Sequence, residues 1–99
     1  LTPSPGEIWI ADRGDETRRP VFVVSDVRFQ RLAERVMVAP VLDHVPAVPR
    51  PWHIVLDDDR MVAVNLLATM PVDRLLERAD AVAGDALSRA RRAVRAITG

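Results

Sequence analysis

The sequence predicts a mainly β domain: a small barrel with helices appended. Three observations carry this. Five short apolar runs of strand length crowd the first two thirds of the chain. Turn-forming residues separate them, a spacing typical of barrels and sandwiches. The last third changes to helical spacing.

The first run, residues 7–12, alternates Ile8 and Ile10 with Trp9 and Ala11. The second, 21–25, is entered through Pro20, and the third spans 36–42. The fourth and fifth cover 52–56 and 61–67. All are rich in the β-branched and aromatic residues that suit a pleated surface. Between the first two lies a wholly polar stretch with one glycine, Gly14, which reads as an exposed loop. Residues 26–34 place Val27, Phe29, Leu32 and Ala33 among charges and predict a short helix. Residues 43–51 hold Pro46, Pro49 and Pro51, a density that no central strand tolerates, so they read as an extended loop. Asp57, Asp58 and Asp59 lie between two strand-like runs and read as a solvated hairpin turn rather than a metal site.

Farther on, Pro71 is placed to open a short helix through Val72, Leu75 and Leu76. Asp85, after Gly84, suits an N-cap. From there Ala86, Leu87, Ala90, Val94 and Ile97 recur on one helical face, with Arg89, Arg92 and Arg95 largely opposite. That pattern reads as an amphipathic helix packed on the barrel with a solvated back.

The chain has 99 residues, the size of one domain, 1–99, able to form a core without disulfides or metal. With no cysteine, disulfides, thiolate zinc and cysteine nucleophiles are excluded. No apolar run approaches a membrane span, and the first residues lack the features of a signal peptide, so the expected location is the cytoplasm. Formal net charge is zero, which argues against a uniformly basic nucleic-acid binder. Yet all 14 cations are arginine. Arginine presents a rigid fork of donors matched to phosphate and base edges, so a basic groove balanced by acids elsewhere stays compatible with neutrality.

Four motifs then fall in order: Pro5-Gly6-Glu7-Ile8-Trp9; Arg19-Pro20-Val21-Phe22-Val23-Val24-Ser25; Val36-Met37-Val38-Ala39-Pro40-Val41; and Val64-Asn65. In this the chain resembles the MazF/PemK-like toxins, whose domain opens on G-[DE]-[IV]-W. That family continues through R-P-V-x-V-x-S, V-x-V-x-P and V-N segments to a C-terminal helix. The resemblance covers nearly the whole chain. It implies an SH3-like β-barrel shared with the CcdB-like toxins. The implied activity is metal-independent, sequence-specific cleavage of single-stranded RNA without a cofactor, by the toxin of a type II toxin–antitoxin system. The implied partners are a cognate antitoxin and a second copy of the chain. Carried over by motif, Arg19 supplies positive charge to the phosphate.

The sequence departs from the family at two places. After V-x-V-x-P the family usually has Thr or Ser; here Leu42 stands there, and no Ser or Thr occurs in 26–68. Asp43 and His44, one and two residues on, are the candidate substitutes. Histidine is attractive because its ordinary pKa is near neutrality. The loop before Arg19 is also short and lacks the family's Gly-Ser-Glu segment, with Glu16 standing in for the acid. The candidate catalytic residues are Arg19, His44 and Asp43, and the candidate RNA-binding residues are Arg13, Arg18, Glu16 and Arg50. The alternative on the same barrel is a protein-binding toxin: a CcdB-like inhibitor of a topoisomerase, or a degenerate toxin that only binds antitoxin. The C-terminus lacks the tryptophan characteristic of the gyrase poisons.

Overall fold

The computed structural model describes residues 2–12, 14, 17–82 and 84–99. Seven strands make one antiparallel system. They are β1 (Glu7–Asp12), β2 (Arg18–Val23), β3 (Arg35–Leu42), β4 (His53–Val55), β5 (Met61–Ala63), β6 (Ala68–Pro71) and β7 (Leu75–Ala81). The helices are α1 (Val27–Ala33), between β2 and β3, and α2 (Gly84–Thr98), after β7. The strand order is β4-β5-β3-β2-β1-β7, and β6 also pairs with β3. β3 is long enough to serve three neighbours. It meets β6 through Arg35–Val38, β2 through Val38, Ala39 and Pro40, and β5 through Val41 and Leu42. A single 3-10 turn, Val72–Arg74, joins β6 to β7 and so links the two flanks of the β6-β3-β2-β1-β7 sheet.

The central strands are buried on both faces. On one face Ile8, Phe22, Val24, Ala39, Val41, Ile54, Val62 and Val64 pack with Ala86, Ala90 and Ala93 of α2. On the other, Trp9, Ala11, Val21, Val23, Val36, Val38 and Leu75 form a second cluster. Burial on both sides is why the apolar runs of β2 and β3 hardly alternate with polar residues. The small side chains on the inner face of α2 bring its backbone close to the sheet. The packed face is Ala86, Ala90 and Ala93, with Leu87 and Val94 half-buried, while Ile97 is exposed. The expected helical stripe is therefore kept at its first turns and lost at its end.

Several residues of two of the resemblance motifs prove to be scaffold. Gly6 has φ +91° and donates its N–H to the Val23 carbonyl at 2.8 Å. Glu7 Oε1 accepts from the Ser4 N–H (2.7 Å) and from buried Trp9 Nε1 (3.1 Å), while Oε2 accepts from Arg78 (3.1 Å). Ser25 Oγ donates to Gln30 Oε1 (2.9 Å) and accepts from the Met37 N–H (3.0 Å). Gln30 in turn donates to the Pro3 carbonyl (2.7 Å). Ser25 and Gln30 are both buried, so this chain of bonds ties the N-terminal segment, α1 and β3 together.

The Glu7 carboxyl is one place where the pH dependence of stability can be read. Burial pushes its pKa up, but the bonds from Ser4, Trp9 and Arg78 outweigh that and leave it below the ordinary value. A depressed folded-state pKa contributes stability above the unfolded value, lost as pH falls through the folded one. Glu7→Gln should cost about 1.5–3 kcal/mol at neutral pH, the scale of hydrogen bonds to a charged group. Urea midpoints of the two proteins should converge as pH falls below about 4. A gap unchanged at low pH would remove the charge from the explanation.

Several sequence expectations are corrected. The helix expected from Pro71 is only the 3-10 turn Val72–Arg74, and Leu75 and Leu76 begin β7. The run of Leu, Glu, Arg and Ala in β7 favours a helix locally. It is drawn out as a strand because β1 offers a free row of backbone groups, paired from Glu7↔Ala81 to Ala11↔Leu75 with two register shifts. β6 was likewise not expected. The fifth apolar run is strand only over Met61–Ala63, then turns as a 3-10 segment, Val64–Leu66. β2 begins earlier than read, at Arg18, and α2 begins at Gly84, which places Asp85 in the first turn rather than at the cap.

Candidate nucleic-acid interface

β2 opens on two arginines. Arg18 and Arg19 are exposed, and neither has a hydrogen-bond or ion-pair partner among the described residues. Arg18 stands opposite Asp12 in the β1–β2 ladder, but the Asp12 carboxylate accepts the Gly14 N–H (2.9 Å). Arg19 stands opposite Ala11. Continuing the register of Val21↔Pro40 by two residues brings Arg19 to the level of Leu42, and Arg18 to that of Asp43. Strand alternation puts Arg19, Ala11 and Leu42 on one face, at the end of the second apolar cluster. Asp43 and His44 follow directly, exposed and with no hydrogen bond among the described residues.

A further cation at this end was missed from the sequence. Gly14 has φ +87°, and a Cβ there would lie 2.8 Å from Arg74 Nη1. The Arg74 guanidinium therefore lies against the β1–β2 loop. Reading residues 71–76 as a helix hid it, because only the β1–β7 pairing carries Arg74 to that loop.

The other candidates separate. Arg13 and Glu16 lie outside the described residues. Arg50 sits at the far end of the proline-rich loop, in a cavity of about 490 Å3 lined also by Pro49, His53, Arg89, Arg92 and Ala96. From β2 the path to it crosses β3 and β5 to β4. Three strand spacings make about 14 Å. A larger cavity of about 760 Å3 lies against α1, but it sets Glu34 and Asp73 against Arg31 and so does not suit a polyanion.

The three-aspartate turn is self-contained. Asp57 Oδ1 accepts the N–H groups of Asp59 (3.0 Å) and Arg60 (2.9 Å), and Oδ2 pairs with Arg60 Nε at 2.9 Å. The Asp59 N–H, and next the Arg60 side chain, hold the Asp57 carboxyl below its ordinary pKa. Among the described residues no group of three His, Asp or Glu is placed to hold a metal ion, and no helix is long and apolar enough to cross a membrane.

A family model described as PemK-like, MazF-like toxin of type II toxin–antitoxin system matches residues 4–98. Among solved structures, the Deinococcus radiodurans MazE–MazF complex contains a chain similar to this one with a TM-score of 0.82 and 18% identity. That match covers 100% of this chain and 98% of that one. A mycobacterial endoribonuclease in complex with its cognate antitoxin gives 0.82 at 18% identity, covering 98% and 95%. The Mycobacterium tuberculosis toxin MazF-mt6 gives 0.74 at 19%, covering 93% and 95%. At such identities the structures establish the shared fold. The chain matches none of the curated proteins.

Proposed function

Because the chain belongs to the PemK-like, MazF-like toxins of type II toxin–antitoxin systems, we propose that it is a metal-independent endoribonuclease cutting single-stranded RNA in the cytoplasm. The observation that carries this reading is the unpartnered Arg18–Arg19 pair at the start of β2. Among the described residues neither side chain is used within the fold, and Arg19 stands at the motif position where the family resemblance places the phosphate-binding arginine.

The reaction is attack of a ribose 2′-hydroxyl on the adjacent phosphorus. The P–O5′ bond breaks, leaving a 2′,3′-cyclic phosphate and a 5′-hydroxyl. Arg19 holds the charge that builds on the phosphorane oxygens; its high pKa makes it a clamp rather than a base. Leu42 cannot donate, accept or move a proton. The two proton transfers fall to His44 and Asp43, the titratable groups next along the chain. Arg18 would then line the RNA path beside Arg19. In this reading the active form is a two-fold homodimer, and a neighbouring antitoxin silences it with an acidic segment whose carboxylates take the place of phosphates. Support for a partner of that kind comes from the fold shared with toxins crystallised in antitoxin complexes.

Long single-stranded RNA incubated with the protein in EDTA should be cut at a short sequence, with ends of the stated chemistry. His44→Ala should slow cutting by about 10²–10⁴-fold, the usual contribution of a general acid or base. Intact RNA after prolonged incubation with folded wild-type protein would overturn the ribonuclease reading. Wild-type rates for both His44→Ala and Asp43→Ala would remove these residues from the proton transfers.

A further inference from the structure

The cavity beside α2 holds an unusual set of groups. Arg50 comes from the proline-rich loop, His53 from β4, and Arg89 and Arg92 from α2. No carboxylate lines it. Among the described residues none of the three guanidinium groups has a hydrogen-bond or ion-pair partner. His53 adds a fourth donor. Its Nδ1 accepts the Arg50 backbone N–H at 3.1 Å, so the neutral ring carries its proton on Nε2. The floor is Ile54, Ala93 and Ala96. Three like charges lining one cavity repel one another, and among the described residues no carboxylate pairs with them; an anion held between them would offset this.

We infer that this cavity is a second phosphate subsite, holding the backbone of the RNA strand at a distance from the cut. The inference rests on the ribonuclease reading above and extends it to α2, whose arginines otherwise read as a solvated back. Two features favour a nucleic-acid phosphate. The groups are donors only, and arginine forks match phosphate oxygens in pairs. The loop of residues 43–51 joins the two places: it starts at the end of β3, at the level of Arg19, and ends at Arg50 beside α2, so a strand reaching both would follow the loop from the face of the second apolar cluster to the α2 face. Arg19 and the cavity stand on different strands and on different faces of the sheet, which makes these distinct contacts rather than one. A strand reaching both would be bound more tightly than one reaching only the first, by linkage of two sites.

The test is equilibrium binding of a long 2′-O-methyl oligoribonucleotide, which keeps every phosphate but lacks the attacking hydroxyl. Affinity is measured across a salt series for wild type, Arg92→Ala, and Arg89→Ala with Arg92→Ala. Each phosphate contact contributes about 0.7 to the slope of log K against log salt for single strands. The slope should therefore fall by about 0.7 in the single variant and about 1.4 in the double variant. Arg92 is exposed on the helix, so the single variant keeps the result readable if the double variant loses helix. Arg31→Ala, on α1 beside the acid-lined cavity, should leave the slope unchanged. A wild-type slope in folded Arg92→Ala, or an equal fall in Arg31→Ala, would overturn the subsite. So would loss of binding to a glutamate-rich peptide with RNA binding intact, which would give the cavity to a protein partner. If wild type binds no oligonucleotide at all, the ribonuclease reading falls and the subsite with it. If wild type binds and cuts while the variants keep its slope, the subsite alone falls.

Discussion

Arg19→Ala is expected to lose at least 10²–10³-fold in the rate of RNA cleavage, about what one well-placed charge donor supplies to a transition state. The loss should appear in kcat as much as in kcat/KM, because the phosphorane carries more charge than the substrate phosphate and gains more from the guanidinium. Stability should hardly change. Arg19 is exposed, its cross-strand neighbour is Ala11, and among the described residues no bond depends on its side chain. A urea melt run beside the assay separates the two effects. Lysine at the same position should recover only part of the rate, since an ammonium lacks the planar fork. Full activity in a folded Arg19→Ala protein would take Arg19 out of the mechanism, and Arg18 and Arg74 would be the cations to test next.

Phe22→Ala should have the largest effect on folding, costing about 3–5 kcal/mol. Phe22 is fully buried near the end of β2, between Ile8 of β1 and Ala39 of β3, in the cluster capped by α2. The helix faces this cluster with Ala86, Ala90 and Ala93, whose methyl groups are too short to fill the space left behind. Domains of this size are typically stable by only about 5–15 kcal/mol, so the variant should be partly unfolded in mild denaturant. Val48→Ala, in the exposed proline-rich loop, is the matched control and should cost almost nothing. A small cost at Phe22 would mean that α2 can move onto the sheet and close the cavity.

These two substitutions divide the motifs by physical role. Gly6, Glu7, Trp9 and Ser25 each make buried or partly buried bonds that hold strands together. Stability accounts for them. Arg19, from the same motif as Ser25, stabilises nothing visible and so is left for function. A one-dimensional pattern cannot make that division, because it records which residues recur and not which bonds they form.

By itself the sequence determined the β-rich class, β1 to β3, the short helix after β2, the aspartate turn, the proline-rich loop and the amphipathic C-terminal helix. All are local: propensity, proline, turn residues and apolar periodicity act over a few neighbours. Motif order singles out Arg19, and the absence of the family's Ser or Thr at Leu42 singles out Asp43 and His44 beside it; their roles belong to the proposal. Only the tertiary structure decided β6 and β7. Residues 75–81 have a helical composition and became a strand because unpaired backbone of β1 lay beside them. That pairing carried Arg74 to Gly14. The packing of α2 against β4, in the same way, gathered Arg50, His53, Arg89 and Arg92 from three separate elements into one cavity. Charge convergence of this kind depends on distances through space, and spacing along the chain carries no record of it.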